Sequence, residues 1–246
     1  AVQPKEPGRF TIVGLWGNYI LKPPTPHYPE LPELEDATMH LARIAKISTV
    51  PHSLIRLQSG SLAYITKRIA RTSQFKLHME DMCQLTERLT EDKYRGSYEQ
   101  IAKAILKFSA NPVLDVVNFY EQVLFSFLTG NADMHLKNFS LLYQRGTGPV
   151  LAPAYDMVAT AVVNPADDED LALALNGKKK KIKYQDFIAA FTTAKLGAKQ
   201  QENIFKKMVR SKTRWQEFID ISFLSSAYKE AYKEIIQERF SRLGLK

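Results

Sequence analysis

The segment from Gly130 to Leu142, GNADMHLKNFSLL, constrains the fold of this chain more than any other stretch. It contains four polar side chains within six residues: Asp133, His135, Lys137 and Asn138. Before it, apolar residues recur along one face from Asp115 to Thr129, which predicts a buried helix that ends at Gly130. After it, FSLLY and PVLAP predict two short strands joined by a turn. So many polar groups between two buried elements indicate a functional site.

The first third of the chain predicts short strands with one helix. RFTIV and NYILK flank Gly14 to Gly17 and predict a hairpin. KPPTPHYPELPE contains five prolines and cannot form a regular helix, but the apolar spacing after it predicts a helix from about Pro32 to Ile47. SLIRLQSGSLAYITKRI predicts two strands around Ser59-Gly60, and this part should end near Arg71.

The rest of the chain predicts a larger, mainly helical part. The pattern becomes helical from Met79 onward, and helices should dominate from Tyr184 to the end. The expected fold class is therefore α+β, with a small strand-rich N-lobe at residues 1–71 and a larger, mainly helical C-lobe at residues 72–246.

Composition narrows the class of protein. No apolar run approaches the ~20 residues of a membrane span, and the first residues lack a signal-peptide segment, so the expected location is cytoplasmic. A single cysteine, Cys83, excludes an internal disulfide and fits that location. The histidines show no ligand spacing such as H-x-x-x-H, so a zinc site is not expected.

The net charge of +8 suggests an anionic partner, either a nucleotide or nucleic acid. Part of this charge comes from the run Lys178 to Lys181, which follows the turn signal Asn176-Gly177. Such a run is more often a solvated loop than a DNA contact. Charge alone therefore does not make this chain a nucleic-acid binder.

Three polar residues match the parts that phosphoryl transfer requires. That reaction needs a carboxylate that orients the attacking hydroxyl, and hard oxygen ligands for Mg²⁺. Kinases supply them as D-x-x-x-x-N, followed by a hairpin and a metal-binding Asp. Here Asp133 and Asn138 have that spacing, and Asp156 follows the second predicted strand. Asp133 is thus the candidate catalytic residue, and Asn138 and Asp156 are the candidate metal ligands.

A kinase also needs a cation for the nucleotide phosphates, held by a helix carboxylate. Lys22 ends the predicted strand NYILK, and Glu35 opens the following helix, so the two match that pair in type and order. Two simpler interpretations stay open. Lys22 could be a solvent-facing strand end, and Glu35 could be a first-turn carboxylate that the helix dipole favours.

With these residues in place, the sequence resembles the HipA-type serine/threonine kinases of bacterial toxin–antitoxin modules. The matching pieces span nearly the whole chain: VQPK at 2–5, YILKPPT at 19–25, YITKR at 64–68, HMEDMCQL at 78–85, KYRGSYE at 93–99, GNADMHLKNFSLL at 130–142 and LAPAYDM at 151–157. The combination of DMHLKNFS and PAYD at this spacing is highly specific.

The resemblance implies a two-lobed protein-kinase-like fold that uses ATP and Mg²⁺. It implies a phosphate loop at 1–5 over the ATP, and a segment linking the lobes whose residues 67–69 border the adenine. It also suggests that His135, Lys137 and Tyr155 line the nucleotide or metal site, although His135 could only brace the loop and Tyr155 could be core. The expected nucleotide-binding residues are Val2, Gln3, Pro4, Lys5, Lys22, Glu35, Lys67, Arg68, Ile69, His135, Lys137, Asn138, Tyr155 and Asp156.

The chain departs from the family pattern at several points. The family usually has Gly before VQPK, preceded by serines that are autophosphorylated, whereas Ala1 comes first here. The family's R-F-D-R is R-I-A-R at 68–71, so Ala70 replaces an Asp near the nucleotide. Full-length family kinases also carry an extra N-terminal subdomain. Its absence is expected of a shortened chain, or of the HipT type, in which that part is a separate small protein.

Two functions from different classes follow. The resemblance implies a serine/threonine protein kinase toxin that phosphorylates a translation component, such as an aminoacyl-tRNA synthetase, and arrests growth. Its partners would be an antitoxin, operator DNA only through the antitoxin, and no membrane. The alternative is a catalytically silent nucleotide-binding or scaffolding subunit that acts through antitoxin and DNA. Ala70 and the basic surface keep this alternative open, whereas Asp133, Asn138 and Asp156 argue against it.

Overall fold

The computed structural model describes residues 2–6, 9–12, 17–72, 75–144 and 146–245, the first two ranges as backbone only. The strands in these ranges are β1 (Val2–Glu6), β2 (Arg9–Ile12), β3 (Tyr19–Lys22), β4 (His52–Arg56), β5 (Leu62–Lys67), β6 (Met79–Asp81), β7 (Ser140–Gln144) and β8 (Gly148–Leu151). The helices are α1 (Leu31–Ile44), α2 (Met82–Leu85), α3 (Tyr98–Phe108), α4 (Pro112–Leu128), α5 (Thr160–Val163), α6 (Tyr184–Thr193), α7 (Ala198–Ile221) and α8 (Ser226–Arg242).

Strand β5 is the centre of an antiparallel sheet with β3 on one side and β4 on the other. Lys22 and Leu54 both lie opposite Tyr64, so the end of β3 is held level with the middle of β5. Helix α1, which begins at a proline-rich turn because proline is tolerated in the first helical turn, packs against this sheet. The expected helix and the two strands around Ser59-Gly60 are confirmed.

The expected hairpin between RFTIV and NYILK is wrong. Strand β2 pairs with β1, with Gln3 opposite Thr11, while β3 pairs with β5, which lies far later in the chain. Apolar alternation identifies a strand but not its partner, and the partner of β3 is distant in sequence. Residues 2–5, expected as a phosphate loop, run as strand β1; Ala1 and the side chains of 2–5 lie outside the described residues.

A second antiparallel sheet has the order β6-β7-β8. Its hairpin β7–β8 matches the strands expected from FSLLY and PVLAP. Strand β6 corrects the expectation that the helical pattern starts at Met79, since Met79 pairs with Leu142 before helix α2 begins. A three-residue strand is too short to show alternation, so its partner decides its conformation.

The end of helix α4 sets the start of the segment from Gly130 to Leu142. Gly130 has φ +68°, and the N–H of Asn131 donates to the carbonyl of Ser126 at 2.8 Å, the pattern of a glycine-terminated helix. A Cβ at Gly130 would lie 2.8 Å from Ile235 Cγ2 on α8. Glycine is therefore required here by both conformation and space, and the expected helix stop is confirmed.

The buried core is continuous from α1 to α8. Trp215 on α7 donates its indole N–H to the carbonyl of Leu41 on α1 at 2.9 Å, and Tyr232 on α8 hydrogen-bonds Thr38 at 3.0 Å. These buried contacts join elements on the two sides of residue 71. The expected division into two lobes at that residue stays a prediction. Cys83 is buried, as a small apolar residue would be. Among the described helices, none combines the length and the apolar character needed to cross a bilayer.

Candidate active site

A cleft of about 430 Å³ lies where β3 and β5 of the first sheet face β6, β7 and the residues after β8. Its lining combines apolar walls with charged groups: Ile20, Lys22, Val50, Thr66, Lys67, Arg68, Ile69, Ala70, Met79, Asp81, Gln84, Lys137, Ser140, Tyr155 and Asp156. An apolar pocket with a few converging polar groups is the usual form of a small-molecule site.

Lys22 is held by two carboxylates at one side of this cleft. Its Nζ lies 2.7 Å from Glu35 Oε1 and 2.9 Å from Glu35 Oε2, and it also pairs with Asp156. Helix α1 supplies Glu35 and the segment after β8 supplies Asp156, so the ammonium joins three separate parts of the chain. Lys22 is thus not a free strand end, and Glu35 is not merely a first-turn helix carboxylate.

Burial and the neighbouring charges set the pKa values of Lys22 and Glu35. Burial raises the pKa of Glu35 to about 7, because desolvation outweighs the attraction of Lys22. Burial alone would lower the pKa of Lys22, but Glu35 and Asp156 hold that pKa above its usual value. Lys22 is therefore firmly protonated, whereas Glu35 can take up a proton near neutral pH.

Asn138 and Asp156 lie side by side, as their expected shared role requires. The Asn138 side-chain amide donates to Asp156 Oδ2 at 3.1 Å, and its Oδ1 accepts from the His135 N–H at 3.1 Å. Asp156 has φ +58°, in the left-handed region that is uncommon for residues other than glycine. Such a backbone persists where the surroundings hold it, and it is frequent at functional sites.

Hydrogen bonds hold the backbone of the loop that carries Asp133. The N–H of Asp133 donates to Asn131 Oδ1 at 3.2 Å, and the N–H of Ala132 donates to Thr160 Oγ1 at 2.9 Å. The Tyr98 hydroxyl donates to the carbonyl of Met134 at 3.0 Å from beneath. Asp133 therefore starts from a fixed backbone and needs only its side chain to be oriented.

Tyr94 supplies that orientation. Its hydroxyl donates to Asp133 Oδ1 at 2.6 Å, and burial together with this bond raises the pKa of Tyr94 to about 12. The N–H of Leu136 donates to the carbonyl of Lys93 at 3.1 Å, which fixes the Tyr94 segment beside the loop. Asp133 Oδ2 makes no hydrogen bond to any described residue. One carboxylate oxygen is thus held and the other is left to accept a further hydrogen bond.

Lys137 and Tyr155 belong to one network at the floor of the cleft. Lys137 Nζ lies 3.0 Å from Asp81 Oδ2, and this bond raises the pKa of Lys137. The Tyr155 hydroxyl donates to the Lys137 carbonyl at 2.9 Å and lies 2.6 Å from Ser140 Oγ. Asp81 also caps helix α2 through the Gln84 N–H at 3.0 Å. This network places the Lys137 ammonium at the cleft surface.

The structure brings most of the expected residues together around the cleft. The cleft is lined by Lys22, residues 67–69, Ala70, Lys137, Tyr155 and Asp156. Glu35 and Asn138 lie behind this lining, where Glu35 hydrogen-bonds Lys22 and Asn138 hydrogen-bonds Asp156. His135 does not line the cleft. Its ring packs edge-on to Tyr94 at 5.0 Å, which favours the interpretation that it braces the loop. Burial lowers its pKa.

Sequence reasoning missed Tyr94, Asp81 and Ser140. Tyr94 lies 39 residues from the aspartate that it contacts, and Asp81 lies 56 residues from Lys137. The pieces KYRGSYE and HMEDMCQL contain Tyr94 and Asp81, so the family resemblance indicates that these residues matter. It does not show which residues they contact.

Comparison with protein families and curated proteins gives consistent matches. The model of the HipA-like C-terminal domain matches residues 3–215. A Sinorhizobium fredii protein named "Putative kinase Y4dM" is 35% identical over 193 residues, 72% of this chain and 46% of that protein. A Haemophilus influenzae protein named "Putative kinase" is 34% identical over 166 residues, 62% of this chain and 48% of that protein. The chain spans about half the length of these relatives.

Two solved structures share the fold. The Shewanella oneidensis toxin HipA, solved with HipB and operator DNA, matches with a TM-score of 0.79 at 21% identity, over 93% of this chain and 59% of that chain. The Helicobacter pylori proinflammatory kinase CtkA matches with a TM-score of 0.66 at 17% identity, over 92% of this chain and 87% of that chain. At these identities the likeness concerns the fold, which is therefore kinase-like.

Proposed function

The chain belongs to the HipA-like C-terminal domain family, and on that premise we propose that it is an ATP- and Mg²⁺-dependent serine/threonine protein kinase. The observation that carries the proposal is the bridge that Lys22 makes between Glu35 and Asp156, with Asn138 bonded to Asp156. A strand lysine, a helix carboxylate and a carboxylate–amide pair are the parts that a kinase places around nucleotide phosphates.

The donor chemistry of the cleft fits the nucleotide and the metal. Ile20, Val50 and Ile69 give an apolar wall suited to an adenine, and Lys22 gives an ammonium for phosphate oxygens. Asp156 and Asn138 would hold Mg²⁺, which prefers carboxylate and amide oxygens and which, when bound, neutralises phosphate charge. Ala70 removes one further carboxylate from the wall without altering these donors.

Asp133 would act on the substrate hydroxyl. Tyr94 holds Oδ1, so Oδ2 is the atom that can accept the hydrogen bond of an incoming serine or threonine and take its proton. The exposed Tyr94 borders this side, where a protein substrate would approach. By resemblance, that substrate is a component of translation, the kinase acts in the cytoplasm, and it is the toxin of a toxin–antitoxin pair.

A direct assay separates this proposal from a silent scaffolding subunit. The purified chain, incubated with γ-labelled ATP and a cell lysate, should transfer label to a protein on serine or threonine. Labelled proteins mapped by their new phosphosites would identify the substrate. Tight ATP binding without any transfer, to protein or to itself, would favour the scaffolding alternative.

Lys22→Ala should weaken ATP binding by ~10–100-fold, because a charge-assisted hydrogen bond contributes ~1.5–3 kcal/mol. The fold should survive, since Glu35 is already close to protonation at neutral pH and can lose its partner. Calorimetric titration with ATP and Mg²⁺ measures the effect. Lys207→Ala, which breaks a similar lysine–glutamate pair with Glu121 away from the cleft, is the matched control. Unchanged affinity and rate in Lys22→Ala would move the phosphate cation elsewhere.

Tyr94→Phe should slow phosphotransfer by ~3–10-fold, because Asp133 loses the hydrogen bond that orients it. The KM for ATP should stay unchanged, since Tyr94 does not line the cleft. Initial rates on a peptide substrate measure the effect. Tyr143→Phe removes a hydroxyl that donates to Glu80 on the second sheet, outside the cleft lining, and should behave as wild type. A faster Tyr94→Phe would mean that Tyr94 competes with the substrate instead.

The lysine run has partners of its own, which favours a solvated loop over a DNA contact. Lys178 pairs with Asp186 at 2.8 Å, Lys179 with Glu169 at 3.5 Å and Lys180 with Asp168. If the protein binds operator DNA through an antitoxin, we expect the salt dependence of that binding to be unchanged when all four lysines become serine. Binding isotherms at several salt concentrations measure the slope. A drop of about one unit per lysine would identify phosphate contacts.

A further inference from the structure

A second cluster of ligand-type side chains lies on helix α1, apart from the cleft lining. Asp36 and His40 are one helical turn apart, and His52 begins the neighbouring strand β4. One ligand atom from each of the three lies within 4.8 Å of the others. Histidine–histidine spacing, on which the expectation of no zinc site depends, does not reveal this cluster, because one ligand is an aspartate and His52 lies on a different element from His40.

The three groups converge on the Asp36 carboxylate. His52 Nδ1 lies 3.1 Å from Asp36 Oδ1, and His40 Nε2 lies 3.7 Å from Asp36 Oδ2. Ligands of a tetrahedral ion with bonds of ~2.1 Å are ~3.4 Å apart, so both distances are of the size found between ligands of one ion. The two imidazole rings meet edge to face, with centroids 4.7 Å apart.

The surroundings of the cluster are apolar and closed on one side. The ring of Tyr64 stacks on His52 at 5.8 Å, and the ring of Phe218 lies 4.9 Å from His40. The His52 side chain is fully buried, and its Nε2 has no hydrogen-bond partner among the described residues. The nitrogen that faces Asp36 is Nδ1, so Nδ1 is the atom that would bind an ion here, and Nε2 points away from the cluster. The His40 side chain is 31% exposed, which gives an ion a route in.

We propose that Asp36, His40 and His52 bind a divalent transition-metal ion of the Zn²⁺ class. Two imidazole nitrogens with one carboxylate oxygen suit Zn²⁺, Co²⁺ or Ni²⁺, whereas Mg²⁺ prefers oxygen ligands alone. Three protein ligands leave a fourth position for water. The bound ion joins α1 to β4, and it is separate from the metal expected at Asn138 and Asp156.

The test uses the whole chain, stripped of metal and titrated with Zn²⁺ by calorimetry and with Co²⁺ by visible absorption. We expect saturable binding of one ion and a rise in the melting temperature, because a ligand that binds only the folded state stabilises it. His40→Gln should lower the affinity at least ~10-fold, since loss of a ligand costs no less than loss of an outer-shell partner. His40 is partly exposed, so this variant should fold.

His78→Gln is the matched control. His78 Nε2 lies 3.3 Å from Glu80 Oε2 in an exposed pair that is outside the cluster of three. Its Zn²⁺ affinity should equal that of the wild type, and His52→Gln should follow His40→Gln. The absence of saturable binding would overturn the site, and so would equal affinity in His40→Gln and wild type. None of these readouts depends on phosphotransfer.

Discussion

Asp156→Asn is expected to abolish phosphotransfer, with a loss of ~10³-fold or more, and to weaken Mg²⁺-dependent ATP binding. The substitution removes the charged oxygen that would hold the metal, a contribution of several kcal/mol to the transition state. The fold should survive, because Asn tolerates the left-handed backbone of residue 156 about as well as Asp does. Turnover of γ-labelled ATP with a peptide substrate measures the loss.

The control for this variant is Asp168→Asn. That carboxylate is exposed and pairs with Lys180 in a loop outside the cleft lining, so its loss should change neither rate nor ATP affinity. Wild-type turnover in Asp156→Asn would show that Asp156 is not the metal ligand. Asn138→Ala would then test the remaining candidate.

Asp133→Asn is expected to cut phosphotransfer by ~10²–10⁴-fold, the usual contribution of a positioned general base. ATP affinity should stay nearly unchanged, because Asp133 is not part of the cleft lining that includes Lys22 and Asp156. Asn keeps an oxygen that can accept the Tyr94 hydroxyl, so the loop should keep its conformation. Under the proposed function, toxicity in cells should disappear together with the chemistry.

Two measurements decide the outcome: nucleotide affinity by calorimetry and the initial rate on a peptide substrate. Asp92→Asn, which breaks an exposed pair with Arg95 in the segment that carries Tyr94, serves as control. Lost ATP binding in Asp133→Asn would mean that Asp133 is a metal or nucleotide ligand. Retained toxicity with no measurable transfer would favour the scaffolding alternative for the whole chain.

The sequence predicted the parts of the site whose order along the chain reflects the chemistry. Asp133, Asn138 and Asp156 occur in a fixed order around one hairpin, and Lys22 precedes Glu35 at the end of a strand, so the order of residue types along the chain could group them. Helix α4 was predictable for a related reason: its apolar residues repeat with the helical period and a glycine ends it.

Contacts between distant segments could not be predicted in this way. The partner of β3 is β5 rather than the adjacent β2, and Tyr94 reaches Asp133 only because the chain folds the two segments together. The cluster of Asp36, His40 and His52 combines a helix turn with a strand and has no single spacing. Local pattern determines which elements form, whereas tertiary packing determines which side chains meet.

The double pairing of Lys22 has a consequence for how ligands would enter. The Lys22 ammonium supplies a positive charge beside Asp156, so a lone metal ion at Asp156 would have to compete with this tethered cation. Nucleotide phosphates would draw the ammonium toward themselves and release the carboxylate. Under the proposed function, nucleotide and Mg²⁺ would therefore bind with positive cooperativity, and by thermodynamic linkage each would raise the affinity of the other by the same factor.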